Sequence, residues 1–297
     1  MSITIFMHMR RLLEMIRFSH TLFALPFALL SALLAWQGKA FHWHDLSGIL
    51  LCMVFARSAA MAFNRLADRH YDAANPRTAG RHLPSGQLSV IAVWIFTLAC
   101  SAAFVGSTTL FLLSDNPWPL YLSIPVLGFV LGYSFSKRFT ALCHFWLGAS
   151  LLLAPLAAWI AVRGLEQLWT PAVLGLAVFF WVSGFDILYS CQDVDFDRKA
   201  RLSSVPAACG VPASLRIALA CHMLMLACLL GLYWVAQPHL GVIYLLGISA
   251  IAVLLAYEHW LVRPDDLSRV NRAFFNVNGV ISVWLFLVVV IQLVVGV

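Results

Sequence analysis

Long apolar blocks separated by short polar stretches constrain this chain more than any other feature. There are nine, at roughly 18–37, 47–66, 88–112, 118–136, 141–162, 170–190, 212–234, 238–261 and 274–296. At a rise of about 1.5 Å per residue, a block of about twenty residues crosses the ~30 Å of hydrocarbon in a bilayer. Composition agrees: 62% of the residues are hydrophobic and only 11% are charged. A water-soluble domain needs about a quarter of its residues charged. The expected class is all-α integral membrane, as a single domain over residues 1–297. The first block follows "RRLLEMIRFSH", runs on without a small-residue cleavage site, and is expected to be a membrane span rather than a cleaved signal. The seven cysteines form no C-x-x-C pair and lie mostly in apolar runs, as small buried hydrophobes do.

The basic residues alternate with the spans. Arg10, Arg11, Arg17, Arg65, Arg69, Arg77, Arg81, Lys137, Arg138, Arg198, Lys199, Arg201, Arg263, Arg269 and Arg272 fall before the first block or around the loops after the second, fourth, sixth and eighth. The opposite loops hold only Lys39 and Arg163. The positive-inside rule makes the basic side cytoplasmic, so the net charge of +6 is a topology signal and not a nucleic-acid footprint. The implied location is the cytoplasmic (inner) membrane.

Two acidic clusters stand out on that side. In "NRLADRHYDAANPRTAGRHLPSG", Asn64, Asp68 and Asp72 recur every four residues, one stripe on a helix, and Pro76 makes continuation past Asn75 unfavourable. In "DILYSCQDVDFDRKARLSS", Asp186, Tyr189, Asp193 and Asp197 are spaced three, four and four apart on one face, with Asp195 pointing away. Carboxylates at consecutive turns repel one another and are costly beside hydrocarbon. Two such pairs call for a shared cation, and oxygen-only ligation without clustered His or Cys suits Mg²⁺, which binds phosphate oxygens alongside a few carboxylates. Lys137 and Arg138 in "YSFSKRFT", with Arg65, Arg77 and Arg198 or Lys199, supply the positive charge that a diphosphate requires. Arg57 lies in the second block on the face of Asn64 and Asp68, about two turns deeper. It either receives the acidic group of a second substrate or pairs with an Asp of a neighbouring helix.

Weaker signals have plainer readings. A single D-x-x-x-D at a membrane helix end is usually a solvated cap; two clusters of matched spacing, each followed by a basic loop, are not explained that way. Asp265 and Asp266 read as loop charge, and His20 and His144 as interface anchors. Glu258 either faces the cavity or caps the interface. Asn271, Asn276 and Asn278 either satisfy one another or line the site. Tyr189 is a hydrogen-bond donor beside Asp193 or a packing residue.

These motifs resemble the two signatures of the intramembrane prenyltransferase superfamily typified by 4-hydroxybenzoate polyprenyltransferase. Asn64, Arg65, Asp68 and Asp72 meet N-R-x-x-D-x-x-x-D in full, and Tyr189, Asp193 and Asp197 supply the second signature. "YSFSKRFT" is similar to the family segment in which Lys137 approaches the diphosphate. The family pattern D-x-x-x-G-x-x-S is met with Ser204 but with Arg201 in the Gly place. The resemblance implies a nine-helix bundle around a central cavity, with a cytoplasmic cap over the site and lateral access for a lipid tail. It implies Mg²⁺ held by Asp68, Asp72, Asp193 and Asp197, and transfer of a polyprenyl chain from its diphosphate to an aromatic acid on the way to a quinone. That acid is 4-hydroxybenzoate or, by similarity of "IRFSHTLFALPFALLSALLAW" and "DVDFDR" to a bacterial branch, an acid of the futalosine route to menaquinone.

A cation-coupled transporter is the alternative from another class. It is disfavoured because no inverted repeat or paired broken helices are visible and the acids sit at helix ends. The D-G-x-x-A-R segment of CDP-alcohol phosphotransferases and the D-D-x-x-D of soluble prenyl synthases are both absent.

Overall fold

The computed structural model describes residues 10–16, 24–267, 269–270 and 276–296. Arg17, His20, Asn271 and Arg272 lie outside the described residues, as does the start of the first expected span. Hydrocarbon offers backbone N–H and C=O groups no water, so a chain this apolar must satisfy them within helices. The helices are α1 (10–15), α2 (Leu25–Trp36), α3 (Trp43–Ala74), α4 (Val90–Thr108), α5 (Trp118–Gly132), α6 (Cys143–Arg163), α7 (Trp169–Ser190), α8 (Val194–Lys199), α9 (Val205–Cys209), α10 (Val211–Val235), α11 (Val242–Leu261) and α12 (Asn278–Val295). Short 3₁₀ turns carry α4 on to Ser114 and α5 on to Arg138, and join α7 to α8.

Eight of these elements are long and apolar enough to cross a membrane: α3, α4, α5, α6, α7 with α8, α10, α11 and α12. The first expected span is present as the 12 residues of α2. The chain is thus an all-α, multi-pass membrane protein. Its outward faces are apolar: on α4, Ile91, Ile95 and Leu98 recur at helical spacing and are 72%, 63% and 62% exposed. Lipid, not water, is the solvent such a stripe fits.

The chain forms two compact units, one of residues Met1–Thr21 with Trp43–Phe135 and one of Leu22–His42 with Ser136–Val297. In the first, α3 packs along α4, which leads into α5. Leu12, Met15 and Ile16 of the α1 segment close over Ala62 and Leu66 of α3, beside Leu88 and Val93. The 32-residue α3 outruns its expected span by two turns, which puts Asp68 and Asp72 on regular helix before it stops ahead of Pro76.

In the second unit α2, α6, α7, α10, α11 and α12 pack in succession, with α12 returning to α2. Its core centres on Trp181 of α7, fully buried against Phe27 and Phe185. Between apolar helices surrounded by lipid, close packing replaces the hydrophobic drive, so small residues let backbones approach. A Cβ on Gly148 would lie 2.5 Å from the Phe179 carbonyl oxygen, and one on Gly184 would lie 2.5 Å from the His222 ring. Glycine at these two positions sets how near α6 and α10 come to α7.

Candidate active site

The end of α3 builds the first cluster. Asn64 donates from Nδ2 to Asp68 Oδ2 at 2.9 Å, the i,i+4 contact that the stripe spacing demands, and Arg65 reaches Asn64 Oδ1 at 3.5 Å. One turn on, Asp72 is buried; its Oδ1 accepts from Arg81 Nη1 at 2.6 Å, and its backbone carbonyl accepts from Thr78 Oγ1 at 3.0 Å. The loop after Pro76 therefore folds back over the helix end and returns a guanidinium to it. Asp72 Oδ2 is buried and makes no hydrogen bond. Arg57, two turns before Asn64 on α3, likewise has a buried Nε with no hydrogen-bond partner. Arg77 is exposed, its backbone N–H bound to Asn75 Oδ1 at 3.0 Å.

The second cluster lies at the end of α7. Here the backbone differs from the expected single stripe: α7 stops at Ser190, residues Cys191–Asp193 form a 3₁₀ turn, and α8 resumes at Val194. The tighter turn changes the helical phase between Asp186 and Asp197. Asp193 and Asp197 are buried, Tyr189 is half-buried, and Asp195 is exposed. Asp197 Oδ2 accepts from Ser204 Oγ at 2.8 Å and from Lys137 Nζ at 3.4 Å. Both bonds fall on one oxygen. Arg138 is exposed on the same turn as Lys137. Arg198 donates from Nε to the Ala207 carbonyl at 3.1 Å, and Lys199 is exposed.

Arg201 stands where the family pattern has glycine, and its backbone explains that pattern. The Leu202 N–H bonds the Asp197 carbonyl at 2.8 Å and the Arg201 N–H bonds the Arg198 carbonyl at 3.3 Å, the two bonds of a Schellman ending. That ending requires a left-handed residue, and Arg201 adopts φ +54°. The loop keeps the glycine conformation without the glycine.

Several expectations need correcting. His144 is not an interface anchor: it is fully buried in the first turn of α6, with Nδ1 2.7 Å from Asp186 Oδ2. Asp186 is thus bound to α6, not simply one more member of an acidic stripe. Glu258 and Asn278 are both buried, with Asn278 Nδ2 donating to Glu258 Oε1 at 2.7 Å and Trp181 Nε1 donating to Asn278 Oδ1 at 2.6 Å. Asn278 therefore ties α12 to α11 and α7, whereas Asn276 is exposed. Sequence reasoning missed the Arg81 contact, because one arginine in a basic loop looks like the next. It missed His144 because a histidine near a helix start carries no sign of what lies across from it.

Each cluster, taken by itself, offers carboxylate oxygens of the kind Mg²⁺ accepts. Asp72 and Asp197 each have one oxygen engaged by a basic side chain and the other left over, and the leftover Asp72 oxygen is buried, where an unmatched carboxylate oxygen is costly.

Known proteins resemble most of the chain. The model of the UbiA prenyltransferase family matches residues 24–289. A 4-hydroxybenzoate octaprenyltransferase of Tolumonas auensis is 34% identical over 226 residues, covering 75% of this chain and 76% of that one. The apo structure of a UbiA homolog from Aeropyrum pernix superposes with a TM-score of 0.82 at 31% identity, covering 94% of this chain and 98% of that one. A UbiA homolog from Archaeoglobus fulgidus, solved bound to DMAPP and Mg²⁺, shares the fold with a TM-score of 0.72 at 20% identity, covering 96% and 99%.

Proposed function

The chain belongs to the UbiA prenyltransferase family, and from that premise we propose that it transfers a polyprenyl chain from an allylic diphosphate to an aromatic acid, 4-hydroxybenzoate or a related quinone precursor. The observation that carries the reading is the buried, unpartnered Oδ2 of Asp72 beside its Arg81-bound Oδ1, a carboxylate half matched by protein and half left for a metal. The relatives' recorded acceptor supports hydroxybenzoate.

In this reading Asp68, Asp72, Asp193 and Asp197 would hold Mg²⁺. Bound there, Mg²⁺ supplies Lewis-acid stabilisation of the diphosphate leaving group. Lys137, Arg138, Arg65, Arg77 and Arg198 or Lys199 engage the diphosphate oxygens, with Asn64 orienting Asp68. Arg57 receives the carboxylate of the aromatic acid, which satisfies its buried Nε. Tyr189 donates a hydrogen bond beside Asp193. The allylic C–O bond breaks with its electrons leaving on the diphosphate. A new C–C bond forms ortho to the ring hydroxyl, and loss of the ring proton restores aromaticity. Apolar walls exclude the water that would otherwise capture the allylic cation. The architecture we propose with this activity is a single prenyltransferase domain, a nine-helix bundle with lateral entry for the lipid tail and a cap on the cytoplasmic side.

The test uses protein in nanodiscs with labelled geranyl diphosphate, 4-hydroxybenzoate and Mg²⁺. Prenylated hydroxybenzoate forms with wild type and falls at least about 100-fold in Asp68→Asn and in Asp193→Asn, and with chelator. Mg²⁺-dependent diphosphate binding without product would move the acceptor to the aromatic acids of the futalosine route. Absence of binding would sink the diphosphate reading.

A further inference from the structure

His144 joins three segments that the family signatures do not connect. It is fully buried, as is Ser204, and both belong to the second unit. Its two ring nitrogens have different partners: Nδ1 lies 2.7 Å from Asp186 Oδ2, while the backbone N–H of Val205 points at Nε2 from 3.3 Å. A nitrogen that accepts an N–H cannot carry a proton itself, so the proton sits on Nδ1 and is donated to Asp186. The hydrogen-bond pattern thus sets the tautomer.

The Val205 bond matters because of its neighbour. Val205 opens α9, where the first N–H groups have no partner inside the helix. Ser204 Oγ takes the Ala207 N–H at 3.3 Å, and His144 takes that of Val205. On the other flank the Ser203 N–H bonds the Lys137 carbonyl at 2.6 Å, and the Ser203 carbonyl accepts from Cys143 Sγ at 3.6 Å. Ser204 is therefore held from both sides, and its hydroxyl is aimed at Asp197 Oδ2 at 2.8 Å.

We propose that His144 is a positioning residue for the second acidic cluster: its bond to Asp186 fixes the ring tautomer, and by accepting the Val205 N–H it holds Ser204 against Asp197 and so turns the other Asp197 oxygen toward the cation. The inference rests on the Mg²⁺-diphosphate reading of the site. His144 touches no substrate and acts through Ser204 and Asp197.

Binding of geranyl S-thiolodiphosphate, a donor analogue, is titrated against Mg²⁺ by calorimetry in nanodiscs. His144→Asn keeps a donor near Nδ1 for Asp186 but loses the acceptor for Val205; His144→Gln reverses this. Asn at 144 is expected to raise the Mg²⁺ concentration for half-maximal binding about five- to tenfold, and Ser204→Ala to do the same, with the double variant no worse than the worse single. Gln at 144 is expected to stay within about twofold of wild type. Trypsin cleavage after Lys199 or Arg201 speeds up in the Asn variant alone of the two. Wild-type titration by His144→Asn, strict additivity with Ser204→Ala, or equal loss in the Gln variant would overturn the proposal. If one variant fails to fold, the other together with Ser204→Ala still decides. Absence of Mg²⁺-dependent binding by wild type would instead overturn the diphosphate reading itself.

Discussion

Arg201 illustrates how a single backbone angle can be hidden behind a side chain. The position closes α8 with φ +54°, and a left-handed L-residue other than glycine, Asn or Asp is strained by about 1–2 kcal/mol. Arg201→Gly removes that strain and gives part of it back as extra freedom of the unfolded chain, about 0.4–1 kcal/mol. We expect a net gain of up to about 1 kcal/mol, read as a higher midpoint of thermal unfolding in nanodiscs, with Mg²⁺-dependent binding unchanged. A lowered midpoint would show that the exposed guanidinium makes a contact worth more than the strain. The residue scale is also where sequence was least informative about partners. Asp72 was recognisable from its spacing, but nothing in the string singled out Arg81, nine residues on, from the other basic residues of its loop. Spacing reports which side chains share a helix face; it does not report which loop residue folds back to meet them.

Among elements, α7 does the most connecting. With its extension it is the most buried of the membrane spans, and it offers a different chemistry to each neighbour. Asp186 meets His144 of α6, Gly184 admits the His222 ring of α10, and Trp181 reaches Asn278 of α12. Asn278 is the more revealing contact, since it accepts from Trp181 and donates to Glu258 at a buried position between three helices. Interhelical hydrogen bonds in membranes are worth about 0.6 kcal/mol on average and up to about 1.7. Asn278→Ala loses two and strands a buried carboxylate oxygen, so about 2 kcal/mol of stability should go, measured by reversible unfolding in mixed micelles. Asn278→Asp, which keeps an acceptor for Trp181, should lose less if protonated. Equal stability of wild type and the Ala variant would mean that lipid or water replaces both bonds. The helical extent of α3 was legible beforehand from Pro76, whereas the 3₁₀ turn at Cys191–Asp193 was not, because the residues there suit either helix.

For the whole molecule, lipid as solvent explains why large apolar side chains lie outside while Ser31, Asn278, Ser282 and Gln292 lie inside. It also makes the distribution of Lys and Arg a statement about orientation. Reporter fusions check it: a fusion in the 76–87 loop, or after Arg201, should report a cytoplasmic position, and one in the 164–168 loop the opposite side. The reverse pattern would put the acidic clusters on the outer face and remove their access to a cytoplasmic diphosphate. The solvent, the helical class, the approximate spans and the two acidic clusters were legible in the sequence, since each depends on composition or on spacing along one helix, which are local. It took the folded chain to show that Arg81 returns to Asp72, that Ser204 and Lys137 share one oxygen of Asp197, that His144 bridges α6, α7 and α9, and that Arg201 is left-handed. Those four depend on which distant segments meet, and the physical reason is one: a buried polar atom takes whatever partner the packing brings, and packing is a property of the folded chain.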